Sequence, residues 1–553
     1  MNQARTTERH DGMVPVEQKS KAERIKNAHG QYFTPRPVAD LMVGMLHASP
    51  LDRVLEPCSG AGVFLDALTS KGFSKITAVE IDEALADHET VPVLNESFVA
   101  FRPSAKFDAV IGNPPYIRWK DLSEDSREEM RQHGLFGELF NSLSDYLTVF
   151  VAGSIELLED GGELIFITPS FWMHTQHSEP LREWMLKHGS IETVVDFGEA
   201  SVFEKVSSAI VIFRYVKGHQ SSDQATLYRY VGPRKLPMEQ LDLLDENLFV
   251  SLPMPRFQSG GHWSLASEEE LKIADALEDD CRTPGEDLFG ESTVRRLGDF
   301  VQIANGMVSG LDKAFRIPPE VRAQLNQKEE QAILPAIKGM DTSPYLSESL
   351  TDYIDIPIGL SEEDVARDYP NFYEHLLPWQ DALERRYSYQ RELPFWEWAF
   401  RRSENFHLSD RRKGYVPCKE RLTNKTIARF TLSPGVAVAT QDVTAFSTLP
   451  EVRESIEYVV AFLCHPAVTE WVRLRGLMKG GIAEFSERPL ASIPFREIDW
   501  DSTREREIHD EITTLMKHLP NDDETSRAIS IKQIGSLVEQ LLPNATEAED
   551  LAS

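Results

Sequence analysis

Four consecutive residues, Asn113-Pro114-Pro115-Tyr116, have the side chains and the spacing needed to activate a planar amine. An exocyclic amine such as adenine N6 is a poor nucleophile, because its lone pair is delocalised into the ring. The Asn113 side-chain oxygen and the Pro114 carbonyl, held rigid because proline fixes φ, could each accept one amine hydrogen and push the nitrogen towards tetrahedral geometry. Tyr116 would then stack on the base. The alternative is an ordinary loop after a buried strand, since Asn-Pro and Pro-Pro are common turn signals.

A glycine-rich turn lies upstream, within Val54-Leu55-Glu56-Pro57-Cys58-Ser59-Gly60-Ala61-Gly62-Val63-Phe64-Leu65. The pattern predicts a short strand, a turn and then a helix, and the glycines would let the backbone approach a ligand closely. The turn lacks the three-glycine spacing of a dinucleotide site, so an ordinary tight turn is the alternative.

The next predicted strand, Ile76-Thr77-Ala78-Val79-Glu80-Ile81-Asp82, ends in acidic residues. Glu80 follows the glycines by roughly twenty residues, the separation at which a carboxylate accepts hydrogen bonds from ribose hydroxyls. A helix N-cap region, with Asp82 as the cap, is the alternative. Phe98 comes before the Asn113 strand and could pack on an adenine, or it could be part of the core.

In this order the segments resemble the gamma class of N6-adenine DNA methyltransferases of type II restriction-modification systems. The resemblance covers roughly residues 20 to 215 and includes residues 29–42, which look like the family's first motif. It implies S-adenosylmethionine as the cofactor, with Thr34 at its carboxylate. The stretch 200–213 resembles the motif whose aromatic residue, here Phe203, holds the target base opposite Tyr116. The family usually places Asp before the Phe at position 98, whereas this chain has Ser97, so Asn95, Glu96 or a backbone group would have to replace it.

The predicted site therefore combines three sets of residues and needs no metal. The catalytic set is Asn113, Pro114 and Tyr116, base stacking is assigned to Tyr116 and Phe203, and the cofactor-binding set is Thr34, Glu56, Gly60, Gly62, Glu80 and Phe98.

The composition indicates a multidomain intracellular enzyme. A chain of 553 residues, of which 41% are hydrophobic, is too long for one compact core. Its four cysteines include no CxxC pair or Cys/His cluster with metal-ligand spacing, so a disulfide framework and a structural zinc are not expected. The N-terminus lacks the apolar core of a signal peptide, and no apolar stretch is long enough to span a bilayer. We therefore expect a cytoplasmic protein without a membrane partner.

The formal net charge of −31 is unusual for a protein that binds DNA. The segment 384–429 differs from the rest, since it contains twelve Lys and Arg residues against six Asp and Glu residues, with aromatic residues between them. Such a cluster could follow phosphates while other side chains reach bases, and we assign DNA binding to Arg411, Arg412 and Lys413. A solvated charged surface is the alternative.

The expected fold is α/β, with a Rossmann-like S-adenosylmethionine-dependent methyltransferase domain followed by a mixed α+β target-recognition domain. The predicted boundaries are a flexible N-terminus at 1–20, the catalytic domain at 21–250, a linker at 251–294, the recognition domain at 295–500 and a helical tail at 501–553. The tail contains two amphipathic patterns, and residues after Pro543 are predicted to be disordered.

The function predicted from these features is site-specific methylation of adenine N6 in double-stranded DNA by base flipping. A restriction-modification role would imply a separately encoded restriction endonuclease as a partner. A protein-glutamine N5-methyltransferase, which also presents a planar amide to an Asn-Pro-Pro-Tyr pocket, and a non-catalytic DNA-recognition subunit are the alternatives.

Overall fold

The structure is a computed structural model that divides into two compact units. It describes residues 33–137, 139–141, 144–203, 209–218, 224–241, 243, 245–259, 263–283, 293–347, 349–388 and 391–552. The first unit comprises the described residues within Met1–Ser170, Gln176–Ser251 and Arg256–Gly261, and the second those within Phe171–Thr175, Leu252–Pro255 and His262–Ser553. The predictions for residues 1–20, for residues 29–32 of the opening motif and for residues 204–208 lie outside the described residues.

Strands and helices alternate through the first unit, which is the pattern that produces a parallel sheet covered by helices. The strands are β1 (Arg53–Glu56), β2 (Lys75–Glu80), β3 (Val93–Asn95), β4 (Phe107–Gly112), β5 (Leu158–Pro169), β6 (Gly189–Asp196), β7 (Ile210–Lys217), β8 (Gln224–Tyr230) and β9 (Phe249–Pro255). The helices are α1 (Arg36–Gly44), α2 (Val63–Ser70), α3 (Glu124–Gln132), α4 (Tyr146–Leu157) and α5 (Glu179–His188).

The strands form one nine-stranded sheet with the order β3-β2-β1-β4-β5-β7-β6-β8-β9. β3, β2, β1, β4 and β5 pair in parallel, whereas β7 is antiparallel to both β5 and β6. The chain leaves β1 towards β2 and β3 and returns on the other side of β1 at β4. This reversal creates a crevice at the carboxyl ends of the strands, where doubly wound sheets bind their ligands. The predicted Rossmann-like α/β fold of the first domain is confirmed.

The central strands have near-continuous apolar sequences because the sheet is covered on both faces. In β4 every residue except Asp108 is buried, and β7 is buried from Ile210 to Val216. Glu163 in β5 and Arg214 in β7 are two of the charged exceptions. Their side chains form a buried ion pair, with Oε2 of Glu163 2.6 Å from Nε of Arg214. The other oxygen of Glu163 accepts the backbone N–H groups of His47 and Ala48 at 2.7 Å, which fixes the chain after α1 to the sheet.

The second unit is a mixture of short helices and small sheets. Its helices are α6 (Glu268–Asp280), α7 (Asp312–Phe315), α8 (Pro319–Arg322), α9 (Gln327–Gln331), α10 (Glu362–Asp368), α11 (Pro370–Leu376), α12 (Gln380–Glu384), α13 (Glu404–His407), α14 (Ile456–Leu463), α15 (Pro466–Arg475), α16 (Glu487–Ala491), α17 (Thr503–His518), α18 (Glu524–Glu539) and α19 (Pro543–Ala552). Its strands are β10 (Arg282–Thr283), β11 (Thr293–Val294), β12 (Val301–Asn305), β13 (Ile333–Ile337), β14 (Tyr345–Leu346), β15 (Thr351–Ile354), β16 (Gly414–Pro417), β17 (Lys419–Arg421), β18 (Thr431–Leu432), β19 (Val438–Ala439), β20 (Val443–Thr448), β21 (Met478–Lys479) and β22 (Ile482–Glu484).

These strands form a five-stranded sheet (β12-β20-β16-β18-β14), two three-stranded sheets (β15-β13-β19 and β17-β22-β21) and a two-stranded ribbon (β10-β11). The described part of this unit therefore has the mixed α+β character that the sequence predicted. Within the described ranges of the whole chain, no helix is both long and apolar enough to cross a lipid bilayer.

The prediction of a linker over 251–294 is wrong for the residues that the structure describes. β9 continues to Pro255, and α6 occupies Glu268–Asp280. Ala274 and Leu277 of α6 are fully buried in the core of the second unit. The Pro- and Gly-containing sequence before α6 suggested a connection, but the apolar residues on one side of the helix require a packing surface.

The prediction that residues after Pro543 are disordered is also wrong. They form α19, and Ala545 is fully buried. Asp280, at the end of α6, holds the start of this helix in place. Its carboxylate accepts hydrogen bonds from the side-chain amide of Asn544 and from the backbone N–H of Ala545, both at 2.8 Å. The two predicted amphipathic patterns form α17 and α18.

We expect Asp280→Ala to release α19 from the second unit, because the first-turn N–H groups of a helix need an acceptor. The free energy of unfolding should fall by roughly 1–3 kcal/mol, as for other lost hydrogen bonds to a charged group. Hydrogen exchange measured by mass spectrometry should show faster exchange at residues 543–552. Asp279→Ala is the matched control, since that neighbouring carboxylate is exposed and pairs with Arg282. Equal exchange rates in the Asp280 variant and the parent would contradict the role of this carboxylate.

Candidate active site

The parallel pairing of β1 with β2 and β4 brings three predicted site residues to one edge of the sheet. Glu56 ends β1, Glu80 ends β2, and Asn113 directly follows β4. Leu55 pairs in register with both Thr77 and Val110, so the three strands end at nearly the same level. This placement follows from the chain direction, because the carboxyl ends of parallel strands meet at the same edge.

The glycine turn after β1 is held by Glu80. The backbone N–H of Gly60 donates to Oε2 of Glu80 at 2.7 Å, and the N–H of Asp82 donates to Oε1 at 2.9 Å. Gly60 has φ +52°, and a Cβ built on it would meet no atom within 4 Å, so the backbone borders open space. Gly62 has φ +82°, and its Cβ would lie 2.5 Å from the imidazole of His88. Gly60 is therefore the glycine open to a ligand, whereas Gly62 permits the tight start of α2.

Asn113 is oriented by side chains from distant parts of the sequence. Its Nδ2 donates to Oγ1 of Thr34 at 3.1 Å, and its Oδ1 accepts a hydrogen bond from the hydroxyl of Tyr116. That hydroxyl also lies within hydrogen-bonding reach of the Ile167 carbonyl at the end of β5. The thiol of Cys58 donates to the backbone carbonyl of Asn113 at 3.3 Å. The amide plane of Asn113 is thus fixed before any substrate arrives.

A pocket of about 920 Å³, including its open mouth, lies over this edge of the sheet. Of the predicted site residues, it brings together Gly60, Glu80, Phe98 and Asn113. The complete lining is Phe33, Pro57, Cys58, Gly60, Glu80, Ile81, Ser97, Phe98, Asn113, Pro115, Ile117, Leu122, Ser123, Ser126, Tyr146 and Phe150. A concave, largely apolar surface with a few convergent polar groups is typical of a small-molecule site.

Six other predicted catalytic, stacking and cofactor-binding residues do not belong to this lining; one of them, Gly62, is the glycine that permits the tight start of α2. Thr34, Pro114 and Tyr116 surround Asn113, and Glu56 is fully buried at the end of β1. Phe203 is 5% exposed and packs in the core cluster that contains Ala200 and Val202. The stacking role of Phe203 opposite Tyr116 stays a prediction, and it would need this side chain to leave the core.

Glu56 is the least satisfied polar group of the site. Among the described residues, no donor in hydrogen-bonding geometry faces either of its carboxylate oxygens. Burial, and secondly the charge of Glu80, hold the pKa of Glu56 well above its usual range, and the nearby backbone amide of Cys58 only partly offsets this. A buried carboxylate without a donor is well suited to a cationic group, because pairing would restore its charged form.

Cys58 is not a nucleophile in this environment. Burial, followed by the charges of Glu56 and Glu80, raises the pKa of its thiol well above the usual value. The thiol thus keeps its proton and acts as a donor to the Asn113 carbonyl.

Several lining residues were missed by the sequence analysis. Tyr146 and Phe150 lie one turn apart on α4, and this i,i+4 aromatic pair was a signal of a shared face. Ser97 was noted for the absence of the expected Asp, and the structure shows that it lines the pocket itself. Ser123 is the N-cap of α3, and Ser126 lies in its first turn. Serines are common at these positions of any helix, so the sequence gave no sign that these two line a pocket.

The basic segment predicted to bind DNA is largely engaged inside the second unit. Lys413 is 3% exposed, and its Nζ donates to the carbonyls of Ser409 at 2.6 Å and Arg411 at 3.0 Å. The DNA-binding prediction for Lys413 is therefore wrong, because a buried ammonium that neutralises carbonyl dipoles cannot reach phosphate. Arg411 donates to Gln302 and Thr448, and Arg412 lies 3.2 Å from the buried carboxylate of Glu457. These two side chains remain partly exposed, and their DNA contact stays a prediction.

The aromatic residues of the same segment are mostly core. Phe395, Trp396, Trp398, Phe406 and Tyr415 are each at most 6% exposed. Basic side chains between them serve their own fold. Arg386, for example, donates to the carbonyls of Pro394, Phe395 and Glu397, and burial lowers its pKa to about 10. In this segment the aromatic residues pack in the core, and the basic side chains between them bind backbone carbonyls. Composition alone could not distinguish this arrangement from a DNA-binding surface.

Two family descriptions match the first unit of the chain. "N-6 DNA Methylase" matches residues 19–84, and "Eco57I restriction-modification methylase" matches residues 65–203. Together they span the glycine turn, the Asn113 loop and the strands that carry them.

Curated relatives match almost the whole chain. Type II methyltransferase M.HindII of Haemophilus influenzae is 38% identical over 507 residues, which is 91% of this chain and 96% of the relative. Type II methyltransferase M.HincII, also from Haemophilus influenzae, is 36% identical over 503 residues, with the same coverage of 91% and 96%. Among solved structures, the type IIL restriction-modification enzyme MmeI in complex with DNA shares the fold, with a TM-score of 0.56 and 10% identity over 95% of this chain and 73% of that enzyme.

We expect Lys413→Ala to destabilise the second unit, because two carbonyls would lose a charged donor inside the protein. The free energy of unfolding should fall by about 1.5–3 kcal/mol, the usual range for hydrogen bonds to charged groups. Lys419→Ala, six residues away on an exposed position of β17, should change it by less than about 0.5 kcal/mol. Denaturant titration of both variants tests this. Equal stability of the two variants would show that the buried ammonium has no structural role.

Proposed function

The chain belongs to the type II N6-adenine DNA methyltransferases of restriction-modification systems, and we propose that it presents a flipped adenine to Asn113 beside the glycine turn. Its cofactor is S-adenosylmethionine. The observation that supports the proposal most is the shared pocket, which unites Gly60, Glu80 and Phe98 with Asn113. Relatives match both the catalytic unit and the second unit, whereas a protein-glutamine methyltransferase would not need the second unit.

The residues of the pocket fit the cofactor group by group. Gly60 borders open space, Glu80 offers carboxylate oxygens for ribose hydroxyls, and Phe98 offers an apolar ring for the adenine. Glu56 lies outside the lining and is fully buried, so its carboxylate, which has no donor within the described part of the chain, would pair only with a cationic group that reaches it from the pocket. Thr34 keeps its role at the methionine carboxylate as a prediction. When bound, the cofactor supplies an electrophilic methyl group on a positively charged sulfur, which leaves as a neutral thioether.

Asn113 and Pro114 orient the attacking nitrogen. The Asn113 side-chain oxygen and the Pro114 carbonyl each accept one N6 hydrogen, which raises the electron density on the nitrogen. Thr34 holds the amide of Asn113 so that Nδ2 points away from the base and Oδ1 points towards Tyr116. The hydroxyl of Tyr116 gives up this hydrogen bond when the base arrives, and its ring stacks on the adenine. Catalysis is therefore mainly positioning.

Base flipping needs favourable contacts to offset its cost. Removing an adenine from the duplex costs a few kcal/mol of stacking and pairing. Stacking on an aromatic ring returns roughly 1–3 kcal/mol, and contacts to phosphates supply the rest. Tyr116 provides the ring in this proposal. A second ring from Phe203 would require the side chain to leave the core cluster in which it packs.

Phosphate contacts are assigned to the exposed face of the sheet β17-β22-β21, which we call the basic face. Lys419 and Arg421 lie on either side of the buried Glu420, so both point to the exposed face of β17. Residues that pair in register lie on the same face of a sheet. Arg421 pairs with Ile482, and Ile482 pairs with Lys479 on β21, so Lys479 lies on the same face as Arg421. Glu484 on the same face pairs with Lys479, with Nζ 2.5 Å from Oε2, so Lys419, Arg421 and Lys479 outnumber the single carboxylate of this face. A positive face on a strongly acidic chain suits a polyanion.

A restriction-modification role further predicts a separately encoded endonuclease that cleaves the same unmethylated site. Sequencing of methylated bases in DNA from cells that express this chain would identify the base and its sequence context. Methylation at cytosine, or at no fixed sequence, would contradict the proposed specificity.

Replacing Asn113 with Ala should reduce methyl transfer to DNA by two to three orders of magnitude, as for other preorganised polar groups in active sites (~2.7–4 kcal/mol). The affinity for S-adenosylmethionine should stay close to that of the parent, because the lost oxygen faces the base. Single-turnover methylation assays and calorimetry measure the two quantities. Thr34→Ser, which retains the acceptor for Nδ2 of Asn113, is the matched control and should remain active. Near-parental turnover of the Asn113 variant would reject the mechanism.

Neutralising Lys419 and Arg421 together with Ala should weaken binding to any DNA sequence. The slope of log affinity against log salt concentration should become shallower by roughly 2, because each phosphate contact contributes about 0.9. The control pair is Arg504→Ala with Lys532→Ala, which removes two exposed cations from α17 and α18. Equal affinities and slopes for the two double variants would exclude the basic face from DNA binding.

A further inference from the structure

Ser97 and Glu129 form a hydrogen-bonded pair at the wall of the pocket. The hydroxyl of Ser97 donates to Oε2 of Glu129 on α3 at 2.5 Å. Ser97 is 8% exposed and belongs to the pocket lining, whereas Glu129 is half-buried behind it and does not. The two residues are 32 positions apart in the sequence, so only the fold brings them together.

The direction of this hydrogen bond determines what Ser97 can offer to a ligand. A serine hydroxyl has one proton and two lone pairs. Because the proton points to a carboxylate, the oxygen of Ser97 can act only as an acceptor, both towards the neighbouring hydroxyl of Tyr146 and towards the pocket that Ser97 lines. The charge of Glu129 stabilises this direction of the hydrogen bond, because hydrogen bonds to an ionised partner are stronger than those between neutral groups. The same charge, after burial, contributes to raising the pKa of the neighbouring Tyr146 to about 12.

The residues around Ser97 define the shape of the group that this acceptor would meet. Phe98 follows it in the lining, and its ring packs against Phe150 with centroids 4.8 Å apart. A flat apolar surface therefore adjoins a single directed acceptor. This combination suits a planar heterocycle with a donor on its edge, such as an aminopurine.

The other polar residues of the turn before Phe98 point elsewhere. Nδ2 of Asn95 donates to the carbonyls of Glu80 at 3.0 Å and Ile81 at 3.3 Å, which ties β3 to the end of β2. Glu96 is exposed, and neither residue lines the pocket. The hydrogen-bonding role considered for Asn95 and Glu96 from the sequence is therefore open to Ser97 or to a backbone group.

We propose that Ser97 accepts a hydrogen bond from the exocyclic amine of the cofactor's adenine, and that Glu129 is the positioning residue that keeps Ser97 an acceptor. The inference rests on the proposed function, in that the pocket takes S-adenosylmethionine. It adds a specificity: a purine with an oxygen in place of the amine would face the lone pairs of Ser97 with its own acceptor. The pair would reject such a ligand by electrostatic repulsion and by an unmatched polar group.

Two ligands that differ in that single group test the proposal. S-adenosylhomocysteine carries the amine and S-inosylhomocysteine carries an oxygen, and calorimetry gives the affinity of the full-length protein for each without any turnover. We expect the parent to prefer S-adenosylhomocysteine by roughly tenfold or more, the ratio expected for about 1.5 kcal/mol. Ser97→Ala should reduce this preference to about threefold or less.

Glu129→Ala tests the positioning role separately. The hydroxyl of Ser97 would then be free to rotate and donate to an oxygen, so the preference should fall even though Ser97 is intact. Glu128→Ala is the matched control, because that neighbouring carboxylate is exposed on the same helix and pairs with Arg131. The double variant Ser97→Asp with Glu129→Ala places the carboxylate at position 97 itself and should restore the preference for the amine.

The outcomes separate this inference from the proposed function. If Ser97→Ala and Glu129→Ala weaken both ligands equally, or leave both unchanged, the pair is merely structural and the inference is overturned while the cofactor assignment stands. If the parent binds neither ligand, the proposed function fails and the inference falls with it. A loss of preference in both single variants, with parental preference in Glu128→Ala and recovery in the double variant, supports the proposal.

Discussion

The parallel pairing of β1 with its neighbours β2 and β4 is the constraint on which the rest of the site depends. It sets the ends of three strands at one level, and each strand delivers a different group there: Glu56, Glu80 and Asn113. The pairing also forces the chain to leave β1 through a sharp turn, which the positive φ angles of Gly60 and Gly62 permit. The carboxylate of Glu80 then holds this turn through the N–H of Gly60, so one acidic residue both shapes the loop and borders the pocket.

Around this edge, the side chains are fixed by hydrogen bonds between elements that are distant in sequence. Thr34 and Tyr116 hold the two ends of the Asn113 amide, and Glu129 determines the polarity of Ser97. Both ends of the Asn113 amide are thus engaged, and in the proposed mechanism the Tyr116 hydroxyl must release Oδ1 when the base arrives. The contribution of the other contacts is positioning, in a reaction whose hard chemistry belongs to the cofactor.

Charge is used differently in the two units of this acidic chain. In the first unit, Glu163 and Arg214 form a buried pair that fixes the end of α1, while Glu56 remains without a donor in the described structure. In the second unit, many cations serve their own fold, as when Lys425 and Arg429 both contact the fully buried carboxylate of Glu420. Such cations are paired with a carboxylate inside their own unit. The proposed basic face differs in that its cations, Lys419, Arg421 and Lys479, share one exposed face of a small sheet.

The sequence by itself determined the fold of the first unit and the members of its pocket that carry motifs. Gly60, Glu80, Phe98 and Asn113 were assigned from strand, turn and spacing patterns, because motifs at strand ends are local and a parallel sheet brings them together in a fixed way. Only the tertiary structure decided which cations are buried, since Lys413 and Lys419 are alike in sequence and differ in what packs around them. The tertiary structure also decided that Ser97 pairs with Glu129 and that residues 543–552 form an ordered helix held by Asp280. In both cases the two partners are far apart in the sequence. Contacts of this kind depend on packing geometry, which no local pattern of residues encodes.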